Sequence, residues 1–191
     1  MQVAVVIPVK SFTVAKGRLS DTLSPSEREE LARECAATVV RASAPLPAYV
    51  VCSDPDVEAW ARNLGARVVV CTAPGLDNAV TAGRTQAVLD GFDHLIVAHA
   101  DLPLAHSLSH VAVENRVTIV SDRHNDGTNV LSFPLASTFS TAYGPGSCAN
   151  HRQLAATAGL ECIIISDDDL ALDLDTADDL DELTRRKKPR T

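Results

Sequence analysis

Apolar runs rich in β-branched residues recur along the chain and alternate with segments whose apolar positions fall three and four apart. The first run, Val3-Ala4-Val5-Val6-Ile7-Pro8-Val9, is continuous rather than alternating, which suits a parallel strand covered on both faces. It empties into Lys10 and a loop carrying Ala15-Lys16-Gly17-Arg18-Leu19. Ser24-Pro25-Ser26-Glu27 then reads as a helix start, with a serine cap, proline in the first turn and glutamate three residues on. That helix should run to about Ala42, burying a stripe of Leu31, Cys35, Thr38, Val39 and Ala42. Residues 49–53 predict a second strand. Asp54-Pro55-Asp56 caps a short helix bearing Val57, Trp60, Ala61 and Leu64, and Gly65 ends it. Residues 66–71 form a third strand, Pro74-Gly75 a turn, and residues 76–89 an alanine-rich helix.

The second half begins with a strand over residues 94–98 that runs straight into His99-Ala100-Asp101-Leu102-Pro103. A strand at 117–120, a polar turn at 121–129 and a returning strand at 130–133 follow. The glycine-rich loop Tyr143-Gly144-Pro145-Gly146-Ser147 opens a helix through His151, Leu154, Ala155 and Ala158. A late strand at 160–165 precedes residues 170–174, which lead to Asp175-Thr176 as the cap of a last helix. Strands alternating with helices predict an α/β fold with a largely parallel, doubly wound sheet and a mixed β insertion after the fourth strand. No G-x-G-x-x-G follows any strand, which favours a nucleotide-binding transferase over a dinucleotide-binding protein.

Composition narrows this picture in three ways. The 191 residues suit one domain with one core, taken as residues 1–184 with a basic tail at 185–191. A formal net charge of −8 argues against general nucleic-acid binding. The start has no basic lead, its apolar run is broken by Pro8 and Lys10, and nothing approaches a membrane span, so a cytoplasmic protein without a membrane partner is expected. The five cysteines are odd in number and scattered, which indicates neither a disulfide framework nor a thiolate zinc site.

Candidate chemistry lies in three places. Lys10, Lys16 and Arg18 are the only charges before Asp21, in an otherwise acidic chain, and they sit where open α/β sheets keep their ligands. Asp101, at the end of the fourth strand, and Asp173 with Asp175, two apart on an extended segment with Leu174 facing inward, form a split carboxylate set. Such hard oxygen ligands suit Mg2+ shared with substrate phosphates, although Asp175 could equally be a helix cap and Asp101 a turn residue. Asp126-Gly127-Thr128-Asn129 and Gly144-Pro145-Gly146-Ser147 together could form a phosphate or carboxylate pocket. Gly75-Leu76-Asp77-Asn78 adds a carboxylate that could meet a guanine edge or cap its own helix. His106 and His110 have no HExxH around them and read as surface residues.

In this order, the Pro8-Val9-Lys10 run, Ala15-Lys16-Gly17-Arg18-Leu19, Gly75-Leu76, Ala100-Asp101-Leu102-Pro103-Leu104, Gly127-Thr128-Asn129, Tyr143-Gly144-Pro145-Gly146-Ser147 with His151, and Leu172-Asp173-Leu174-Asp175-Thr176 resemble the CofC/FbiD guanylyltransferases of deazaflavin coenzyme biosynthesis. The resemblance covers nearly the whole chain. It implies a Rossmann-like, GT-A-type nucleotidyltransferase fold, a mostly parallel mixed sheet flanked by helices. It also implies transfer of GMP from GTP to phosphoenolpyruvate or 2-phospho-L-lactate with release of pyrophosphate. The acceptor positions of the family fall on Thr128, Gly144 and Ser147, its metal carboxylates on Asp101, Asp173 and Asp175. Lys10, Lys16 and Arg18, with Gly75, Asp77 and Asn78, then serve the nucleotide, and Lys10, Lys16, Arg18 and Asp101 the chemistry. GTP and a small phosphorylated three-carbon acid become the implied partners, with room for a homodimer and for hand-over of a labile product to the next pathway enzyme. The chain departs from the family at Asp77, where asparagine usually follows Gly-Leu, at His99, where a small residue or proline is common, and in a short segment between Leu104 and Val117. A molybdopterin- or sugar-phosphate nucleotidyltransferase of the same fold, and a catalytically silent nucleotide sensor, remain the competing readings.

Overall fold

The computed structural model describes residues 1–187. Seven strands form one sheet in the order β3-β2-β1-β4-β6-β5-β7: β1 (Val3–Pro8), β2 (Ala48–Cys52), β3 (Arg67–Val70), β4 (His94–Ala98), β5 (Arg116–Ser121), β6 (Thr128–Pro134) and β7 (Glu161–Ile164). Only β6 runs against its neighbours, pairing antiparallel with β4 and β5; the other pairings are parallel. The helices are α1 (Pro25–Ala42), α2 (Pro55–Asn63), α3 (Leu76–Leu89), α4 (Ser147–Thr157) and α5 (Ala177–Lys187). Residues 188–191 of the expected tail lie outside the described residues, and Arg185 to Lys187 form the last turn of α5.

β1 shows why its continuous apolar run was needed. Val3, Val5, Ile7 and Val9 enter one core with Ala32, Ala36 and Val39 of α1, whereas Ala4 and Val6 enter the other with Val80 and Ala87 of α3. Both faces are covered, so no polar position is tolerated. α1 begins as its residues dictate: the Ser24 side chain accepts from the Glu27 amide, and the Glu27 carboxylate accepts from the Ser24 amide. The chain moves outward from β1 to β3, and α3 then crosses back to place β4 on the far side of β1. The strand order reverses there, and the loops after β1 and β4 both line the crevice at that point. β5 and β6 are longer than the sequence suggests, so Thr128 and Asn129 lie within β6 and are held in register rather than sitting in a turn.

α3 needs a glycine at its closest approach to the sheet. A Cβ on Gly83 would stand 2.7 Å and 2.8 Å from the two γ-methyls of Val6 and 3.1 Å from a γ-methyl of Val51. Gly83→Ala should therefore lower stability by about 1–3 kcal/mol through overpacking, outweighing a helix-propensity gain of under about 1 kcal/mol. Urea denaturation measures this, and a stabilised variant would show that α3 can lift off the sheet without cost.

Among the described residues no helix is long and apolar enough to cross a membrane. His106 and His110 lie at the surface, each beside an aspartate.

Candidate active site

The loop after β1 is anchored by Phe12, which is buried, meets the Trp60 ring edge-on at 5.0 Å and lies under the Arg33 guanidinium. Leu19, fully buried, holds its other end. Between these anchors Lys16 adopts a left-handed conformation (φ 57°), which costs a non-glycine residue roughly 1–2 kcal/mol. This turns its side chain inward. Lys16 Nζ lies 3.0 Å from Asp101 Oδ2 and 3.5 Å from Asp175 Oδ1, with only 6% of the side chain exposed. Burial works against the Lys16 ammonium, but Asp101 and Asp175 outweigh it and raise the pKa. Burial likewise works against the Asp101 charge, and Lys16 overrides it, holding the carboxyl below its usual value. The loop cations and the distant carboxylates, legible in sequence as two halves of a site, are thus interleaved. Arg18 lies at the rim, 3.7 Å from Asp175 Oδ2, and Lys10 is exposed at the cavity mouth.

Residues 172–175 behave as their spacing requires. Leu172 and Leu174 are fully buried, Asp173 and Asp175 face the cavity, and the Leu174 amide donates to the Asp101 carbonyl, stitching the two carboxylate segments together. Asp175 does not cap α5. That task falls to Asp179, whose carboxylate accepts from the amides of Asp175 and Thr176 and from the Thr176 hydroxyl, which leaves Asp175 for the cations. Asn129 Nδ2 donates to the Leu170 carbonyl and to Asp173 Oδ1. Burial, then Asp101 and Asp175, raise the Asp173 pKa.

Two observations bear on a divalent cation. Asp101 Oδ1 is buried and has no hydrogen-bond partner among the described residues, and Asp173 is held where its neighbours disfavour its charge. Both fit a hard cation. Among the described residues, however, no three His, Cys, Asp or Glu side chains are grouped as a closed metal site, so such a cation would need substrate oxygens to complete its shell.

At the other end of the cavity the two glycine loops are organised differently from a pair of open anion nests. Asp122 accepts from the amides of His124, Asp126 and Gly127, and a Cβ on Gly127 would meet Asp122 Oδ2 at 2.9 Å. Asp126 in turn accepts from the Gly146 amide through its carboxylate and from the Cys148 amide through its carbonyl, holding the start of α4. Those amides are therefore taken within the protein. Thr128 and Ser147 both line the cavity.

His151 fixes one of them. Its Nε2 faces the Ala142 amide at 3.0 Å and must accept, so Nδ1 carries the proton and donates to Thr128 Oγ1 at 3.0 Å. The Thr128 hydroxyl hydrogen is thereby free to point at a ligand. Burial lowers the His151 pKa to about 4, as it does that of His94, which shares a hydrogen with Ser132. Both rings take up protons on unfolding at an ordinary value near 6.5, so stability is complete above pH 6.5 and falls as pH drops towards 4. The interval is worth roughly 3 kcal/mol for each ring. Urea midpoints at pH 7.5 and 4.5 measure it, and equal midpoints would show that these rings charge without unfolding.

Lys10, Lys16, Arg18, Asp101, Thr128, Gly144, Ser147, Asp173 and Asp175 all line one cavity of about 700 Å3 at the switch point. Gly75, Asp77 and Asn78 do not line it, although Leu76 does. The Asp77 carboxylate neither caps α3 nor stands free: it accepts from the Thr141 hydroxyl and the Tyr143 amide, tying the glycine-rich loop to α3. Asn78 donates to the Pro74 carbonyl. His151, Asn129, Asp122 and Tyr143 act by tertiary contacts, and only their place beside glycine-containing motifs marked them.

The fold is that of nucleotide-diphospho-sugar transferases: a crystal structure so described, from Desulfovibrio desulfuricans G20, superposes with a TM-score of 0.77 at 18% identity, covering 100% of this chain and 89% of that one. With cations, carboxylates and hydroxyl donors gathered at its switch point, the chain is a nucleotidyltransferase. It belongs to the CofC-like guanylyl transferase family, whose model matches residues 3–187. A phosphoenolpyruvate guanylyltransferase of Sphaerobacter thermophilus is 32% identical over 96% of this chain and 93% of its own length. A 2-phospho-L-lactate guanylyltransferase of Methanothermobacter thermautotrophicus is 30% identical over 96% and 84%.

Proposed function

We propose that this guanylyltransferase moves GMP from GTP to the phosphate of phosphoenolpyruvate, releasing pyrophosphate, as a step of deazaflavin coenzyme biosynthesis. The observation that carries the reading is the single cavity that holds cations, carboxylates and hydroxyl donors together. Lys10 and Arg18, at its mouth, offset charge on the nucleotide phosphates and on the departing pyrophosphate. Asp101 and Asp173 are the residues that would hold Mg2+, and the ion, when bound, would supply charge neutralisation at the triphosphate. Lys16 keeps Asp101 ionised and pairs with Asp175, holding both in place. Thr128, with its hydroxyl aimed by His151, and Ser147 orient the acceptor beside Gly144. The acceptor phosphate is already anionic, so its oxygen needs no protein base to attack the α-phosphorus. The leaving group is pyrophosphate.

Relatives named for phosphoenolpyruvate favour that acceptor, and one named for 2-phospho-L-lactate sets the alternative to be tested beside it. Pyrophosphate release from GTP, ATP and CTP, each with both acids, decides. GTP with phosphoenolpyruvate should give the highest rate. Release only with 2-phospho-L-lactate would change the acceptor, and no release with any pair would leave a nucleotide-sensing role.

A further inference from the structure

Two polar atoms in the cavity wall are buried and have no hydrogen-bond partner among the described residues: the hydroxyl oxygen of Tyr143 and Nε2 of His99. Their rings lie 5.5 Å apart, tilted by 41°. Each is held firmly by other means. The Tyr143 amide is bonded to Asp77 and its ring meets His151 edge-on at 4.8 Å, while the His99 amide donates to the Asn129 carbonyl in continuation of the β4–β6 ladder. Packing thus fixes both side chains and leaves their polar tips unused. An unpaired buried hydroxyl costs about 1–3 kcal/mol, a cost expected to persist where a ligand completes the bond.

The position of the pair narrows what that ligand is. His99 stands two residues before Asp101, and Tyr143 immediately precedes Gly144, so the pair joins the carboxylate segment to the acceptor loop along the cavity lining. Burial, then the nearby Asp77 charge, keeps the Tyr143 hydroxyl protonated and able only to donate to an anion. The acceptor of the proposed reaction carries two anionic groups. Its phosphate must reach the nucleotide, where the cations are, which leaves its carboxylate for donors elsewhere in the cavity wall.

We infer that Tyr143 Oη and His99 Nε2 together bind the carboxylate of the phospho-acid acceptor and set the preference for acceptors that have one. This rests on the function proposed above and adds two residues to it. Vinyl phosphate, which is phosphoenolpyruvate without its carboxylate, is the probe. Wild-type protein should favour phosphoenolpyruvate over vinyl phosphate by about 100-fold or more, both in kcat/KM for pyrophosphate release and in calorimetric binding. Tyr143→Phe and His99→Ala should each shrink that ratio by roughly tenfold, through the KM for the acid and not that for GTP. Tyr143→Phe should also melt no lower than wild type, because the hydroxyl it removes bonds nothing among the described residues.

Variants that keep the full ratio overturn the inference, as does a Tyr143→Phe protein that melts well below wild type. Wild-type protein that binds phosphoenolpyruvate over vinyl phosphate, in a way that depends on these residues, but releases no pyrophosphate overturns the proposed function and supports the subsite. Equal binding of the two acceptors overturns the subsite alone.

Discussion

Asp101→Asn is expected to lower kcat/KM for pyrophosphate release by on the order of 100- to 1,000-fold while leaving the fold intact. The substitution keeps the shape of the side chain but removes the charge paired with Lys16, 3.0 Å away, and replaces an oxygen that has no other partner. The Leu174 amide bonds the Asp101 backbone carbonyl, not its side chain, so the seam between the β4 end and residues 172–175 should survive. Steady-state turnover and circular dichroism measured side by side separate the two effects. Near-normal turnover would remove Asp101 from the reacting site.

Lys16→Met should have the second-largest effect and act on stability as well as rate. Removing the ammonium leaves Asp101, Asp173 and Asp175 facing one another without their buried cation, and Arg18 meets the set only at the rim, through Asp175. Breaking a buried pair costs about 3–5 kcal/mol, but Asp101 and Asp175 are 26% and 44% exposed, so a loss of about 1–3 kcal/mol at neutral pH is the better expectation. The same change should make the protein respond more strongly to divalent cations, because the tethered ammonium no longer competes for the carboxylates. Melting temperatures with and without millimolar Mg2+ test this: the variant should gain more than wild type. An equal gain would mean that the cation does not visit the carboxylates Lys16 holds.

How much of this was legible beforehand depended on the range of the interaction. β1, the Ser24/Glu27 capping box, the Asp54 cap of α2 and the inward Leu172 and Leu174 could be read because each follows from residues within a turn or two. Asp77 shows the opposite. Its place at the start of α3 suggested a cap or a base contact, whereas its partners are Thr141 and Tyr143, more than sixty residues on. From its spacing Asp175 reads equally as a metal carboxylate and as a cap; Asp179 reaches back to do the capping, and Asp175 pairs with Lys16. The polar run 121–129 reads as a turn, yet pairing draws Thr128 and Asn129 into β6.

By itself the sequence determined the alternation of strands and helices, the covered first strand, the loop of cations and the spacing that puts Asp173 and Asp175 on one side, since backbone periodicity and capping act over a few residues. Only the tertiary structure decided that Lys16 turns in among the carboxylates, that His151 aims the Thr128 hydroxyl, and that Tyr143 and His99 keep polar tips without partners among the described residues. Those arrangements depend on which distant segments the sheet order brings to one edge, and on burial that changes what a charge or hydroxyl costs.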